Sequence, residues 1–184
     1  MIFTSVISLL LGLMVKGDGG MILDGVEYVD YTQTFINKTF KIEYHGEGQG
    51  MRTGWMLTGH SYGRITDQSS VRWNGYGEVV YGKNCGDDLC LESADDSFYF
   101  LQTFPQSRMV WRPSFYGLTS ACMFRILCAG SPFSGGRCQI KSLRSYNKTI
   151  LLRVYDVYVV WCEATDCWYG TSNSFWTFTP YFTP

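Results

Sequence analysis

Thr39-Phe-Lys-Ile-Glu-Tyr44 alternates apolar and polar side chains over its whole length. A strand points successive side chains to opposite faces. Phe40, Ile42 and Tyr44 therefore share one face and Lys41 and Glu43 the other, as in a sheet with one wet side. The same texture recurs outward from this stretch. Val26–Thr34, Thr53–Thr58, Ser70–Trp73, Glu78–Tyr81, Ser97–Phe104, Arg108–Trp111, Ala121–Leu127, Ile150–Trp161 and Phe175–Phe178 all read as strands. Asn74-Gly75, Asn84 to Asp88, Asp95-Asp96, Pro113, Gly130 to Pro132 and Gly135-Gly136 punctuate them as turns. Short strands with frequent turn signals predict an all-β, antiparallel β-sandwich, immunoglobulin-like or Greek-key, with little or no helix.

Composition agrees. The chain has 184 residues, of which 46% are hydrophobic and 17% aromatic. It holds only 4 Ala and 6 Glu, the residues that fill helix surfaces, so coiled coils, helical bundles and helical solenoids are excluded. The apolar fraction argues against disorder. A formal charge of -1 offers no electrostatic footprint for nucleic acid.

Met1 to Met14 is apolar, too short to span a bilayer, and followed by Val15-Lys16-Gly17. It reads as a signal peptide, residues 1–17, cut after Gly17. The alternative is an apolar N-terminal strand. A single secreted β-rich domain over residues 18–184 follows, with no later apolar run long enough for stable membrane insertion.

All seven cysteines, Cys85, Cys90, Cys122, Cys128, Cys138, Cys162 and Cys167, fall after that segment. In a secreted chain this density predicts disulfides. The C-x4-C and C-x5-C spacings, with His45 and His60 remote from any Cys, do not suit zinc. An odd count leaves one thiol unpaired or engaged between molecules, as in a disulfide-linked homodimer. Asn37-Lys-Thr39 and Asn147-Lys-Thr149 are glycosylation sequons, each before a strand-like run where a turn would expose the Asn.

Nothing reads as catalytic, cofactor-binding or metal-binding. Gly46 to Gly63 is glycine-rich but lacks the Gly-Lys-Ser/Thr ending of a phosphate loop and reads as a hairpin. No Gly-x-Ser-x-Gly elbow surrounds a nucleophile. Asp87-Asp88 and Asp95-Asp96 read as turns, with calcium the lesser alternative.

The surplus is aromatic. Cys167 to Phe182 carries seven aromatics in sixteen residues. Strict alternation in Phe175-Trp-Thr-Phe178 separates Phe175 from Trp176, and both faces are partly apolar. Trp168, Tyr169 and Trp176 are the candidate partner-binding residues, with Phe98 and Phe175 as core positions. Tyr and Trp are enriched at interface hot spots and also stack on sugars. A shift of 77 residues aligns Val80/Val157, Tyr81/Tyr158, Cys85/Cys162, Cys90/Cys167, Ser97/Ser174 and Phe98/Phe175, an internal echo of 76–107 in 153–184. Duplication and chance both account for it.

Ser120-Ala-Cys122-Met-Phe-Arg-Ile-Leu-Cys128-Ala-Gly-Ser-Pro132, with the later Cys138 and Val154-Tyr-Asp-Val-Tyr-Val-Val160, resembles the small secreted immunoglobulin-like accessory proteins of coronaviruses. The resemblance covers about a quarter of the chain, and the first hundred residues do not carry it. It implies host-factor binding, immune modulation and disulfide-linked dimerisation. The expected function is thus a secreted, N-glycosylated, non-enzymatic protein that binds an extracellular receptor or ligand. A carbohydrate-binding module is the alternative and a small secreted hydrolase the third reading.

Overall fold

The computed structural model describes residues 20–46, 55–58, 64–66, 78–105, 107–155, 158–165 and 174–182. The expected signal peptide, the strand Ser70–Trp73, the turn Asn74-Gly75, most of Gly46 to Gly63, and Cys167, Trp168 and Tyr169 lie outside these residues.

The strands are β1 (Met21–Leu23), β2 (Val26–Asp30), β3 (Thr39–His45), β4 (Trp55–Thr58), β5 (Arg64–Thr66), β6 (Val80–Cys85), β7 (Asp88–Ser93), β8 (Tyr99–Phe104), β9 (Arg108–Pro113), β10 (Met123–Ala129), β11 (Arg137–Ser142), β12 (Ile150–Tyr155), β13 (Tyr158–Glu163) and β14 (Phe175–Pro180). One four-residue helix, α1 (Thr32–Phe35), lies between β2 and β3.

All pairings are antiparallel. They run β3–β6–β7–β8–β9–β13–β12–β11–β14 and return from β14 to β3, closing a nine-stranded barrel. β10 pairs along β11 and touches β7. The all-β, antiparallel, disulfide-stapled expectation holds. The described strands belong to one continuous sheet that closes on itself, and a division into two layers is not resolved within it. Closure leaves fewer open strand edges than a sandwich would.

The sequence of β3 dictates its place. Phe40, Ile42 and Tyr44 are wholly buried, while Lys41, Glu43 and His45 are half-exposed. β14 lies in register beside it, with Trp176 opposite Tyr44, Phe178 opposite Ile42 and Pro180 opposite Phe40. Directly opposed residues share a face, so Trp176 and Phe178 join the core. This reverses the expected assignment of faces. Trp176 is fully buried, Phe175 half-buried and Phe98 44% exposed. The alternation was right and its phase was wrong, because the pairing partner sets the phase.

Val26–Thr34 is strand only to Asp30. Asp30 Oδ1 accepts from the Thr32 backbone N–H at 2.8 Å, and α1 begins there. The turn swings Phe35 into the core, with ring centres 5.0 Å from Phe40, 4.9 Å from Phe133 and 4.5 Å from Phe178. Burial of one large ring outweighs the strand preference of Tyr and Thr. The expected long strand Ile150–Trp161 is the β12–β13 hairpin, in register from Ile150↔Glu163 to Tyr155↔Tyr158. Asp24-Gly25, at φ 50 and 77, makes the β1–β2 turn, the left-handed pair that two-residue hairpins prefer.

Arg153 is a buried cation. The Arg153 guanidinium donates to Gln139 Oε1 and to the Leu152 carbonyl. Gln139 in turn donates to the Ser174 carbonyl at 3.1 Å. Desolvation pushes the Arg153 pKa below its ordinary value, against the opposing pull of Tyr28, Tyr44 and Asp24. On the outside, Arg125 of β10 bonds Asp88 of β7 at 3.0 Å and lies 3.6 Å from Asp30 of β2. The hydrogen bond to Asp88 raises its pKa, so it remains a cation.

The duplication gains no support from the described strands. β6 forms its hairpin with the strand that follows it, whereas β13 forms its hairpin with the strand that precedes it.

Candidate partner-binding surface

The β8–β9 hairpin sends Leu101, Thr103, Met109 and Trp111 inward, where all four are buried. Of the residues on the other face, Phe100 is buried, while Gln102, Val110 and Arg112 are partly exposed and Phe104 is exposed. Among them Arg112 carries its guanidinium carbon 5.2 Å from the Phe104 ring centre.

After Pro113 the chain enters a single 3-10 turn, Ser114–Tyr116. It is held by Ser114 N–H to the Phe98 carbonyl at 2.7 Å and closed by Gly117 N–H to the Ser114 carbonyl at 2.9 Å. Gly117 sits at φ 83, which favours glycine. The turn therefore ejects two aromatic rings that no strand face hides. Phe115 is 67% and Tyr116 56% exposed.

These rings are continuous with their neighbours. Phe98 lies 5.7 Å from Phe115, and Phe115 lies 4.2 Å from Tyr116. The Arg112 guanidinium covers one face of Tyr116 at 3.9 Å, within cation–π range. Leu118 is also exposed. On the far side of Phe104, Trp161 donates its indole N–H to the Phe104 carbonyl at 2.8 Å, and Arg144 packs 5.1 Å over the Trp161 ring. Arg144 is itself fixed by a bond to the Thr103 carbonyl at 3.0 Å. The result is an outward strip of aromatic rings interleaved with two arginines, anchored to backbone carbonyls.

The residues singled out in the sequence fall elsewhere. Trp176 is not on the surface. Its ring meets Tyr44 edge-on at 5.5 Å, and its N–H reaches the Leu152 carbonyl at 3.3 Å. A side chain so enclosed has no face to offer a partner. Trp168 and Tyr169 lie outside the described residues. Phe175 is spent locally, stacked on His45 at 5.1 Å with Arg137 4.9 Å from its ring centre.

Four cysteines form the bonds Cys85–Cys90 and Cys128–Cys138. Cys162 is also disulfide-bonded, and Cys122 is a buried free thiol. Asn37 and Asn147 are both exposed. Asn37 takes the left-handed conformation at φ 59, and its Oδ1 accepts from the Tyr81 hydroxyl at 3.0 Å.

His45 has Thr177 Oγ1 at 3.0 Å and Glu43 Oε1 at 3.2 Å, but both contact the same nitrogen, Nε2. A nucleophile–His–acid relay uses the two ring nitrogens separately, so this arrangement is not one. The acidic pairs are turn and strand-end residues. Asp96 Oδ1 accepts from the Phe98 N–H at 3.0 Å, and Asp88 is held by Arg125. Among the described residues no group of three or more His, Cys, Asp or Glu is placed to hold a metal, and no helix is long and apolar enough to cross a membrane.

Sequence reasoning passed over Phe115 and Tyr116 because they sit in neither a strand nor the aromatic C-terminus. Their signal was available: two large aromatics enclosed by Pro113 and Gly117, where a turn would ordinarily be polar. No protein-family model matches the chain, and no curated protein matches it.

Proposed function

We propose that this is a secreted, N-glycosylated protein that binds an extracellular protein partner through the strip formed by Phe98, Arg112, Phe115, Tyr116 and Phe104. The observation that carries the reading is the exposed, contiguous cluster of rings around the Arg112 guanidinium. Contiguous exposed apolar patches mark interaction sites. Aromatic and arginine anchors dominate binding energy when a partner excludes water from them. The turn that carries Phe115 and Tyr116 is held by backbone hydrogen bonds, which lowers the backbone entropy that docking must remove.

Secretion is supported by the intrachain disulfides and by the exposure of both sequon asparagines. At Asn37 the oxygen is engaged by Tyr81, which leaves the amide nitrogen, the atom a glycan would occupy, turned from that contact. The immunoglobulin-like sandwich remains a finer reading of the same antiparallel sheet, for which a flattened barrel would be the common ground. We read the protein as a binder rather than an enzyme, on the single-nitrogen geometry at His45.

The carbohydrate reading is less favoured. Sugar stacking wants a flat, open ring flanked by hydrogen-bonding side chains. Here one face of Tyr116 is taken by Arg112, and Phe98, Phe115 and Tyr116 are mutually tilted, by 39° and 35°.

The test compares purified wild type with the Phe115→Ser/Tyr116→Ser double variant against an array of extracellular protein domains and against a glycan array. A protein ligand weakened at least about 30-fold in the variant, about 2 kcal/mol, supports the proposal. Glycan binding lost in the same variant, with no protein ligand, transfers the site to the lectin reading.

A further inference from the structure

The free thiol of Cys122 is not isolated. It belongs to a small apolar cluster outside the main core, made with Cys90 and Phe100 and lined by Cys85 and Met123. Three of the seven cysteines thus meet in one place, one as a thiol and two as a disulfide. Two elements bring them together. The short 3-10 turn Ser120–Cys122 delivers Cys122 at the start of β10, and the next residue, Met123, lies directly opposite Cys90 of β7. The two halves of the disulfide differ in surroundings. Cys90 is fully buried in the same cluster as Cys122, whereas Cys85 is half-exposed at the end of β6, next to the Gly86-Asp87 turn.

We propose that Cys122 and the Cys85–Cys90 disulfide form an internal thiol–disulfide relay that moves the free thiol from the interior to the surface. The Cys122 thiol loses its proton to solvent, and the thiolate attacks Cys90 Sγ. The Cys122–Cys90 bond forms as the Cys90–Cys85 bond breaks, and Cys85 leaves as a thiolate that takes a proton back. One disulfide and one thiol enter and leave, so no oxidant or reductant is consumed. The reactive thiol of the folded protein is then Cys85, open to soluble electrophiles and to disulfides of other molecules, while Cys122 serves as its buried store.

The surroundings of Cys122 set the pace. Only the thiolate attacks. Burial pushes its pKa up, and the opposing influences of a Thr119 hydrogen bond and the Arg112 charge are smaller. Lys83 and Glu92 face the cluster from the β6–β7 side, ion-paired at 3.2 Å, with the Lys83 ammonium 5.2 Å from the Phe100 ring centre. The relay is therefore slow near neutrality and quickens with pH. Arg112 also belongs to the aromatic strip, so the two sites adjoin, but the relay does not depend on the proposed binding function.

The experiment uses the full folded chain with N-ethylmaleimide. The protein is labelled over hours at pH 7 and pH 8.5, quenched in acid, digested with pepsin at low pH to prevent reshuffling, and mapped without reduction. The expected result is label on Cys85 together with a Cys90–Cys122 peptide, increasing by about tenfold per pH unit below the thiol pKa. Cys122→Ser should then reduce the Cys85 label at least tenfold. Label on Cys122 with Cys85–Cys90 intact overturns the proposal, as does native protein that takes no label at either position. Undiminished Cys85 label in Cys122→Ser overturns it too, because the exposed thiol would then arise without the relay. The wild-type map decides the matter even if that variant folds poorly.

Discussion

Replacing Trp176 by Ala separates the barrel described above from a reading in which the C-terminal aromatics face a partner. The indole is wholly enclosed. A tryptophan buries roughly 200 Å², which at about 25 cal/mol per Å² corresponds to about 5 kcal/mol. Measured truncations of large buried aromatics fall at about 3–5 kcal/mol, since the cavity partly collapses. The variant also loses the N–H bond to Leu152 and the edge contact with Tyr44, so the upper part of that range applies. For a chain of this size each kcal/mol moves Tm by roughly 2–4 °C, and the expected fall is about 10–20 °C. Phe98→Ala, at a ring 44% exposed, should cost about 1 kcal/mol or less. The assay is a pair of thermal melts followed by circular dichroism under oxidising conditions. If Trp176→Ala melts within a few degrees of wild type while Phe98→Ala collapses, the pairing of β14 with β3 is wrong, and with it the closure of the sheet.

Three further outcomes are expected. A Cβ on Gly82 would stand 2.0 Å from the Phe35 carbonyl oxygen. Gly82→Ala should therefore destabilise by about 2–3 kcal/mol through forced backbone movement, read by denaturant melts. The Trp111 N–H has no hydrogen-bond partner among the described residues, and an unmade buried bond costs about 1–3 kcal/mol. Trp111→Phe should accordingly be tolerated better than Trp176→Phe, whose parent N–H is bonded, and the reverse order in urea melts would contradict this. Burial raises the Cys122 pKa in the folded state above the ordinary thiol value. Its stabilisation is fully present below the unfolded pKa and is lost as pH rises from about 9 through the folded value. A melt series from pH 8 to 10.5 should show wild type losing more stability than Cys122→Ala.

The legible part of the fold was whatever local pattern encodes. β3 was read from its alternation alone, and the burial along it matches residue for residue. β8, β9, β10 and β14 were located to within a few residues. What failed needed distant information. β7, Asp-Leu-Cys-Leu-Glu-Ser, is buried at every position after Asp88, so it shows no alternation, and its Asp reads locally as a turn residue. β11 holds Arg, Gln, Lys and Ser yet is mostly buried, because Gln139 and Ser142 are hydrogen-bonded inside. The phase of β14 could be read only from its partner. Tyr44 lies opposite Trp176, and a strand of unknown neighbour gives two equal choices of face.

The same logic explains why aromatic abundance misdirected the search for a binding surface. The aromatic surplus divides among three physical tasks. Phe35, Phe40, Phe133 and Phe178 form one interlocked group of rings beside α1. Tyr44, Trp111 and Trp176 fill the barrel interior. The rings at the β8–β9 end stay exposed and lie in contact with one another, whereas Tyr146, Tyr155, Tyr158, Tyr181 and Phe182 are exposed elsewhere on the described surface. In the aromatic-rich C-terminal stretch Trp176 and Phe178 are buried, Phe175 is half-buried and Tyr181 and Phe182 are exposed, so density along the chain does not say which rings face outward. The informative aromatics are those placed where no packing requirement calls for them. Phe115 and Tyr116 stand in a three-residue turn, tied down at Phe98 and Gly117, and no described residue buries them.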